Sequence, residues 1–260
     1  MADSRFSLSG KVALITGGSR GIGRAIALAF AGAGAEVVIT GRNLPALEEV
    51  VKEIKAKGSK GLAIASHVAR IEDSKNLVEK VKAEFGRIDI LVNNAGTNPY
   101  FGPLINAEEW AWDVTMGVNL KGPFMLGQLV ARVMREQGGG VIINTASVAG
   151  LRASALNIYS VTKAALIMLT QVMAKEWGAY NIRVNAIAPG VIETRLSEAL
   201  WKDPAKGEAA AKNTALGRIG VPDDVAGVVL FLASDASRYV TGVTVAVDGG
   251  EIIGPSSFQD

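Results

Sequence analysis

The chain has 260 residues, with 49% hydrophobic and 20% charged side chains, which is enough apolar material for a large core and argues against disorder. A net charge of +2 without blocks of like charge offers no electrostatic footing for nucleic acid or a membrane surface. No cysteine and a single histidine, His67, exclude disulfides, thiolate chemistry and a multi-histidine metal centre, so no metal is expected.

The N-terminal "MADSRFSLSG" has no apolar core of signal-peptide length, and residues 1–7 read as a flexible tail. Apolar runs such as "VAGVVLFLA" (225–233) are far below the ~18 residues of a membrane span, so the chain reads as soluble and cytoplasmic. Short β-branched runs at 11–16, 36–40, 61–66, 88–93, 140–147, 182–188 and 242–248 predict seven strands. They are mostly continuous apolar runs, as in strands covered on both faces. Helical patterns lie between them near 22–33, 45–57, 72–85, 107–136, 159–178 and 222–233. The alternation predicts one α/β domain over 1–260, a Rossmann-type doubly wound parallel sheet of about seven strands. In such sheets ligands bind beyond the carboxyl ends of the strands, which makes residues there the functional candidates.

The first such edge reads "TGGSRGIGRAIALAF", with Gly17, Gly21 and Gly23 between Thr16 and an Ala-rich helix. Glycines let the backbone turn tightly against a phosphate, and the helix N-terminus offers free N–H groups. The second edge, "VVITGRN", has Gly41 and then Arg42 where an acid often holds a ribose 2′-hydroxyl. Arg42, with Arg20 from the glycine turn, can instead pair with a 2′-phosphate. The third edge carries "SHV", where the His67 ring can cap the strand end or meet an adenine. In "IYSVTKAAL", Tyr159 and Lys163 stand at i and i+4 and share a helix face. On those residues alone the lysine could snorkel its charge outward or serve the tyrosine.

Five motifs in order then resemble the classical short-chain dehydrogenase/reductases across about residues 8–253. They are "TGGSRGIG" (16–23), "NNAG" (93–96), Asn119 in "GVNLKG", Ser147 with "YSVTK" twelve positions later, and "PGVIET" (189–194). The "NNAGTNPYFGP" stretch and the "SHV" edge resemble the carbonyl-reductase branch related to peroxisomal NADP-retinol dehydrogenases. The resemblance implies a catalytic tetrad of Asn119, Ser147, Tyr159 and Lys163. It implies Tyr159 as general acid/base, its pKa lowered by the Lys163 cation, and Ser147 as donor to the substrate oxygen. The Asn119 carbonyl would hold a water of the proton relay. The implied cofactor is NADP(H), held by Gly17, Ser19, Arg20, Gly21, Ile22, Gly23, Arg42, His67, Val68, Asn94, Gly96, Tyr159, Lys163, Pro189, Gly190, Ile192 and Thr194.

The function expected is reversible reduction of a ketone or aldehyde to an alcohol, performed by a homotetramer. Alternatives are a 3-oxoacyl-acyl-carrier-protein reductase, a sugar or polyol dehydrogenase, and a silent NADP-binding regulator on the same fold. The substrate pocket is expected to be apolar. Val148, Leu151, Leu156, Tyr100, Phe101, Leu196, Leu200 and Trp201 would line it beside Asn157, while Arg152 and Arg195 face solvent. The segment after Thr194 has the position of a lid, without a legible shape.

Overall fold

The computed structural model describes residues 4–255. Seven parallel strands form one sheet in the order β3-β2-β1-β4-β5-β6-β7. They are β1 Val12–Thr16, β2 Glu36–Gly41, β3 Gly61–Ala65, β4 Ile90–Asn93, β5 Gly140–Thr145, β6 Ile182–Pro189 and β7 Thr244–Val247. The order reverses between β1 and β4, and crossovers run to both sides of that point. Helices α1 (Gly21–Gly32), α2 (Leu44–Ala56), α3 (Ile71–Phe85), α4 (Glu109–Met116), α5 (Gly122–Glu136) and α6 (Ile158–Trp177) connect the strands. Two short helices, α7 (Glu198–Trp201) and α8 (Pro204–Lys212), precede α9 (Pro222–Ala233).

The apolar strands have two covered faces because successive side chains point opposite ways. Ala13, Ile15, Val37 and Ile39 pack with Ile26 and Phe30 of α1, Leu47 of α2 and Val229 of α9. Their neighbours Val12, Leu14 and Val38 pack on the other side with Val81 of α3, Val130 of α5 and Trp177 of α6. Burial of both faces is what continuous hydrophobic strands require. Residues 1–3 of the expected tail lie outside the described residues. Ser4–Phe6 form a 3-10 turn, and Leu8 is buried with its N–H on the Ala33 carbonyl at 2.8 Å.

The helical pattern over 107–136 is not one regular helix. It is interrupted by a π-helical turn, Gly117–Lys121. In an α-helix the Asn119 carbonyl would accept from residue 123, which is Pro123 and has no N–H. A π-turn accommodates this fault and leaves Asn119 facing the carboxyl ends of the strands.

At the first βα turn, Asn94 ties β1 to β4, its amide donating to the carbonyls of Thr16 (2.9 Å) and Gly17 (3.3 Å). Gly23 of α1 packs directly on this junction. A Cβ at Gly23 would stand 2.3 Å from the Gly17 oxygen and 2.6 Å from Asn94 Nδ2. Gly23→Ala is therefore expected to destabilise the protein by about 1–3 kcal/mol. Thermal unfolding should show a midpoint lowered by several degrees; an unchanged midpoint would mean that α1 shifts freely on the turn.

Candidate active site

The carboxyl ends of β1, β2, β4, β5 and β6 open into a cleft that continues past Phe124 onto Met168 and Val172 of α6, about 2370 Å³ in all. It is lined by the glycine turn, Arg42, the 66–69 and 94–98 segments, Ser147, Tyr159, Lys163 and the 189–197 segment. Ser147 ends the β5 edge and starts a 3-10 turn, its hydroxyl accepting the Ala149 N–H at 3.2 Å. Tyr159 and Lys163 lie one turn apart near the start of α6, with Nζ 5.4 Å from the phenol ring centroid.

Lys163 does not snorkel. Its residue surface is 3% exposed and its Nζ donates to the Thr145 carbonyl at 2.6 Å. Burial lowers its pKa to about 8. Burial pushes the Tyr159 phenol up to about 12, while a hydrogen bond from Ser147 pulls it the other way. The expectation of a tyrosine pKa lowered by lysine is thus reversed in the cofactor-free protein, because loss of water around the phenolate is the largest cause and outweighs the Ser147 hydrogen bond. Asn119 is fully buried and reaches the same place from the π-turn. Its Oδ1 accepts from Thr97 N (2.9 Å), and its Nδ2 donates to Thr97 O (2.8 Å) and Thr162 Oγ1 (3.2 Å). The side chain thereby braces two walls.

At the glycine turn, Gly21 takes φ +55°, a left-handed conformation that favours glycine. A Cβ there would stand 3.2 Å from Thr194 Cγ2, so the absent side chain also lets the lid base approach the turn. Arg20 and Arg42 both line the cleft, and among the described residues no hydrogen bond or ion pair engages either guanidinium. His67 lines it too, with Nδ1 accepting the Ala69 N–H at 3.3 Å, which is the strand-end capping role. Ser19, Ile22, Val68, Gly96, Pro189, Gly190, Ile192 and Thr194 are all on the lining. Asn94 is on the lining as well and gives its amide to the β1 end, while Gly23 is not on it and shapes the turn from beneath.

The segment after Thr194 has a definite form. Trp201 Nε1 donates to the Thr194 carbonyl and to Ser197 Oγ, each at 3.2 Å, which pins α7 to the lid base. Trp201, Leu151, Tyr100 and Asn157 are not on the lining of the cleft, while Val148, Leu156, Phe101, Leu196 and Leu200 are. Arg152 and Arg195 stand on its lining and are both exposed, as solvent-facing arginines at the mouth would be. Glu251, immediately after "VDGG", lines it and went unnoticed in the sequence. The available signal was an acid just past a Gly-Gly turn at the carboxyl end of a parallel strand.

A family model described as enoyl-(acyl carrier protein) reductase matches residues 17–251. The chain is 43% identical over 246 residues to dehydrogenase/reductase SDR family member 4 of Caenorhabditis elegans, covering 93% of this chain and 95% of that protein. The chain belongs to the classical short-chain dehydrogenase/reductase family. It is also 44% identical over 248 residues to a 3-oxoacyl-(acyl-carrier-protein) reductase of Thermotoga maritima, covering 95% of this chain and 99% of the relative. A solved gluconate 5-dehydrogenase from Burkholderia cenocepacia, in complex with NADP and tartrate, superposes with a TM-score of 0.92. It is 40% identical, and the match covers 96% of this chain and 98% of that one. The protein is therefore an enzyme of this oxidoreductase family. No helix among the described residues is long and apolar enough to cross a membrane.

The lysine makes stability depend on pH in a stated direction. Between its folded value of about 8 and its ordinary 10.5, the unfolded chain binds more protons than the folded one, so stability rises with pH. Tyr159 opposes this only above its ordinary 10.0. Urea unfolding of the cofactor-free protein is expected to show stability climbing by up to about 1 kcal/mol per pH unit from pH ~8 to ~10. Lys163→Met should flatten the climb; an equal climb in that variant would place its origin elsewhere.

Proposed function

We propose that this short-chain dehydrogenase/reductase is an NADP(H)-dependent enzyme that reversibly reduces a neutral, apolar ketone or aldehyde to its alcohol. The observation that carries the reaction is the cluster of Ser147, Tyr159 and buried Lys163 at one strand edge, open to an apolar cleft. The dinucleotide fits the chain on structural grounds: a glycine cradle that a Cβ would fill, two unengaged guanidiniums, and buried hydroxyls of Ser66 and Thr145 without partners. Arg20 and Arg42 would hold a 2′-phosphate, Ser19, Gly21 and Ile22 the pyrophosphate, and the 189–194 segment the nicotinamide end. His67 and Val68 would border the adenine. Bound there, the nicotinamide supplies or takes up the hydride, and the protein supplies position and proton.

The proton side follows from the geometry. Ser147 donates a hydrogen bond to the substrate oxygen and orients it toward Tyr159. A phenol held near 12 keeps its proton at neutral pH, yet it is a stronger acid than an alcohol, so it can protonate the oxygen as negative charge develops. Lys163, near 8, exchanges protons in the neutral range and is placed to restore the phenol. The Asn119 carbonyl, without an α-helical donor at Pro123, would extend that relay through water.

A second reading, a reductase of acyl thioesters or of a polar carbonyl compound, is favoured by Arg195 at the cleft mouth and by the relatives of both kinds. Comparing kcat/KM for an aryl ketone, an acetoacetyl thioester and a sugar lactone separates them, with the aryl ketone expected to lead. A higher value for either polar substrate overturns the apolar assignment.

NADPH is expected to be strongly preferred over NADH, and Arg42→Ala should weaken NADPH binding about tenfold or more, since a hydrogen bond to a charged group contributes ~1.5–3 kcal/mol. Fluorescence titration checks both; unchanged affinity or a wild-type preference for NADH refutes the phosphate role. Tyr159→Phe should bind cofactor nearly normally while losing roughly 10²–10⁴ in turnover, and near-normal turnover would refute the proton-donor role. The single chain leaves Val161, Met168 and Val172 of α6 about half exposed, along with Val114 and Phe124. This apolar face supports a homotetramer. Light scattering should report four subunits, and a stable monomer at micromolar concentration contradicts it.

A further inference from the structure

Arg152, in the loop between β5 and α6, reaches across the cleft mouth to Glu251 in the turn after β7. Its Nη2 lies 3.3 Å from Glu251 Oε1. The two side chains differ in setting: Arg152 is 49% exposed and Glu251 only 17%. The second carboxylate oxygen, Oε2, is buried without a hydrogen-bond partner. The surrounding backbone is built to hold this acid. Asp248 accepts the Gly250 N–H (3.0 Å) and the Ile252 N–H (2.9 Å), which fixes the turn on either side of Glu251. Across from it, a Cβ on Gly190 would come 2.7 Å from Oε2, so the glycine makes the space the carboxylate occupies. The Arg152 guanidinium is its one ion-pair partner among the described residues, and both groups line the cleft that contains Tyr159.

An arginine alone at this mouth would attract a carboxylate or phosphate on the substrate. Paired with Glu251 its charge is offset, and an incoming anion also meets the like charge of the glutamate. We propose that the Arg152–Glu251 pair is a charge filter: it makes the cleft prefer neutral carbonyl compounds over anions of the same skeleton, and it masks an anion site at Arg152. This rests on the carbonyl-reductase reading above and names the residues that set its substrate class.

Methyl benzoylacetate and benzoylacetate share one skeleton and differ by one charge. Their kcat/KM ratio is to be measured with NADPH for the wild type, Glu251→Gln and the double variant Arg152→Gln/Glu251→Gln. The wild type should prefer the ester. Glu251→Gln should move the ratio toward the acid by about tenfold or more, as a freed guanidinium gains a charged partner. The double variant should lose most of that gain. A ratio in Glu251→Gln within about twofold of wild type, or a gain that persists in the double variant, overturns the filter. Calorimetric titration of the same two compounds in the presence of NADP⁺ reads the discrimination without turnover. If the wild type reduces neither compound the reductase reading fails, and the binding ratios still decide the filter. Failure of the acid to bind Glu251→Gln more tightly than wild type counts against it.

Discussion

The hydrogen bond from Lys163 to the Thr145 carbonyl is the constraint around which the site is arranged. An ammonium group taken from water needs an oxygen partner, and here that partner is the end of a central strand. The bond fixes the start of α6 against β5. Because side chains at i and i+4 share a helix face, it also fixes where Tyr159 stands relative to Ser147. The same burial that weakens the lysine as a base raises the phenol. Both groups therefore titrate above neutral pH, Lys163 at about 8 and Tyr159 at about 12, so the phenol is the stronger proton holder of the two.

The sheet makes this arrangement possible. Parallel strands bring all their carboxyl ends to one edge, so groups from β1 to β6 converge there without any long loop. Pro123 adds a local fault that the chain turns to use. It breaks the regular hydrogen-bond ladder of the helix after β4, and the π-turn that results carries Asn119 into the wall beside Thr97 and Thr162. The Gly21–Thr194 approach joins the glycine turn to the segment after β6. Trp201 then holds α7 to the start of that segment, which is thus positioned from the same turn.

The strands were legible because both faces are buried, which leaves long apolar runs such as "KVALIT" and "IRVNAIA". The glycine turn and the unengaged arginines at the strand edge were legible because they fall just beyond those runs. The lid helices were not. "SEALWKDPAKGEAAAKN" buries no side chain within α7 or α8, so it has no core-facing stripe to read. The π-turn was hidden because the apolar periodicity continues through it. The direction of the tyrosine shift was also beyond reach, since spacing reports which charge is near and not how much water is lost. Glu251 and Arg152 lie far apart in sequence, and only the fold brings them to one mouth.

The most direct test is the titration of Lys163 itself. Carbon-13 NMR of protein labelled at the lysine ε-carbons, with Lys163→Met to identify the resonance, reads that one ammonium among the surface lysines. One resonance titrating near 8 in the cofactor-free protein, absent from the variant, is the expected result. A Lys163 resonance titrating near its ordinary 10.5 would contradict a buried, destabilised ammonium at the centre of the site.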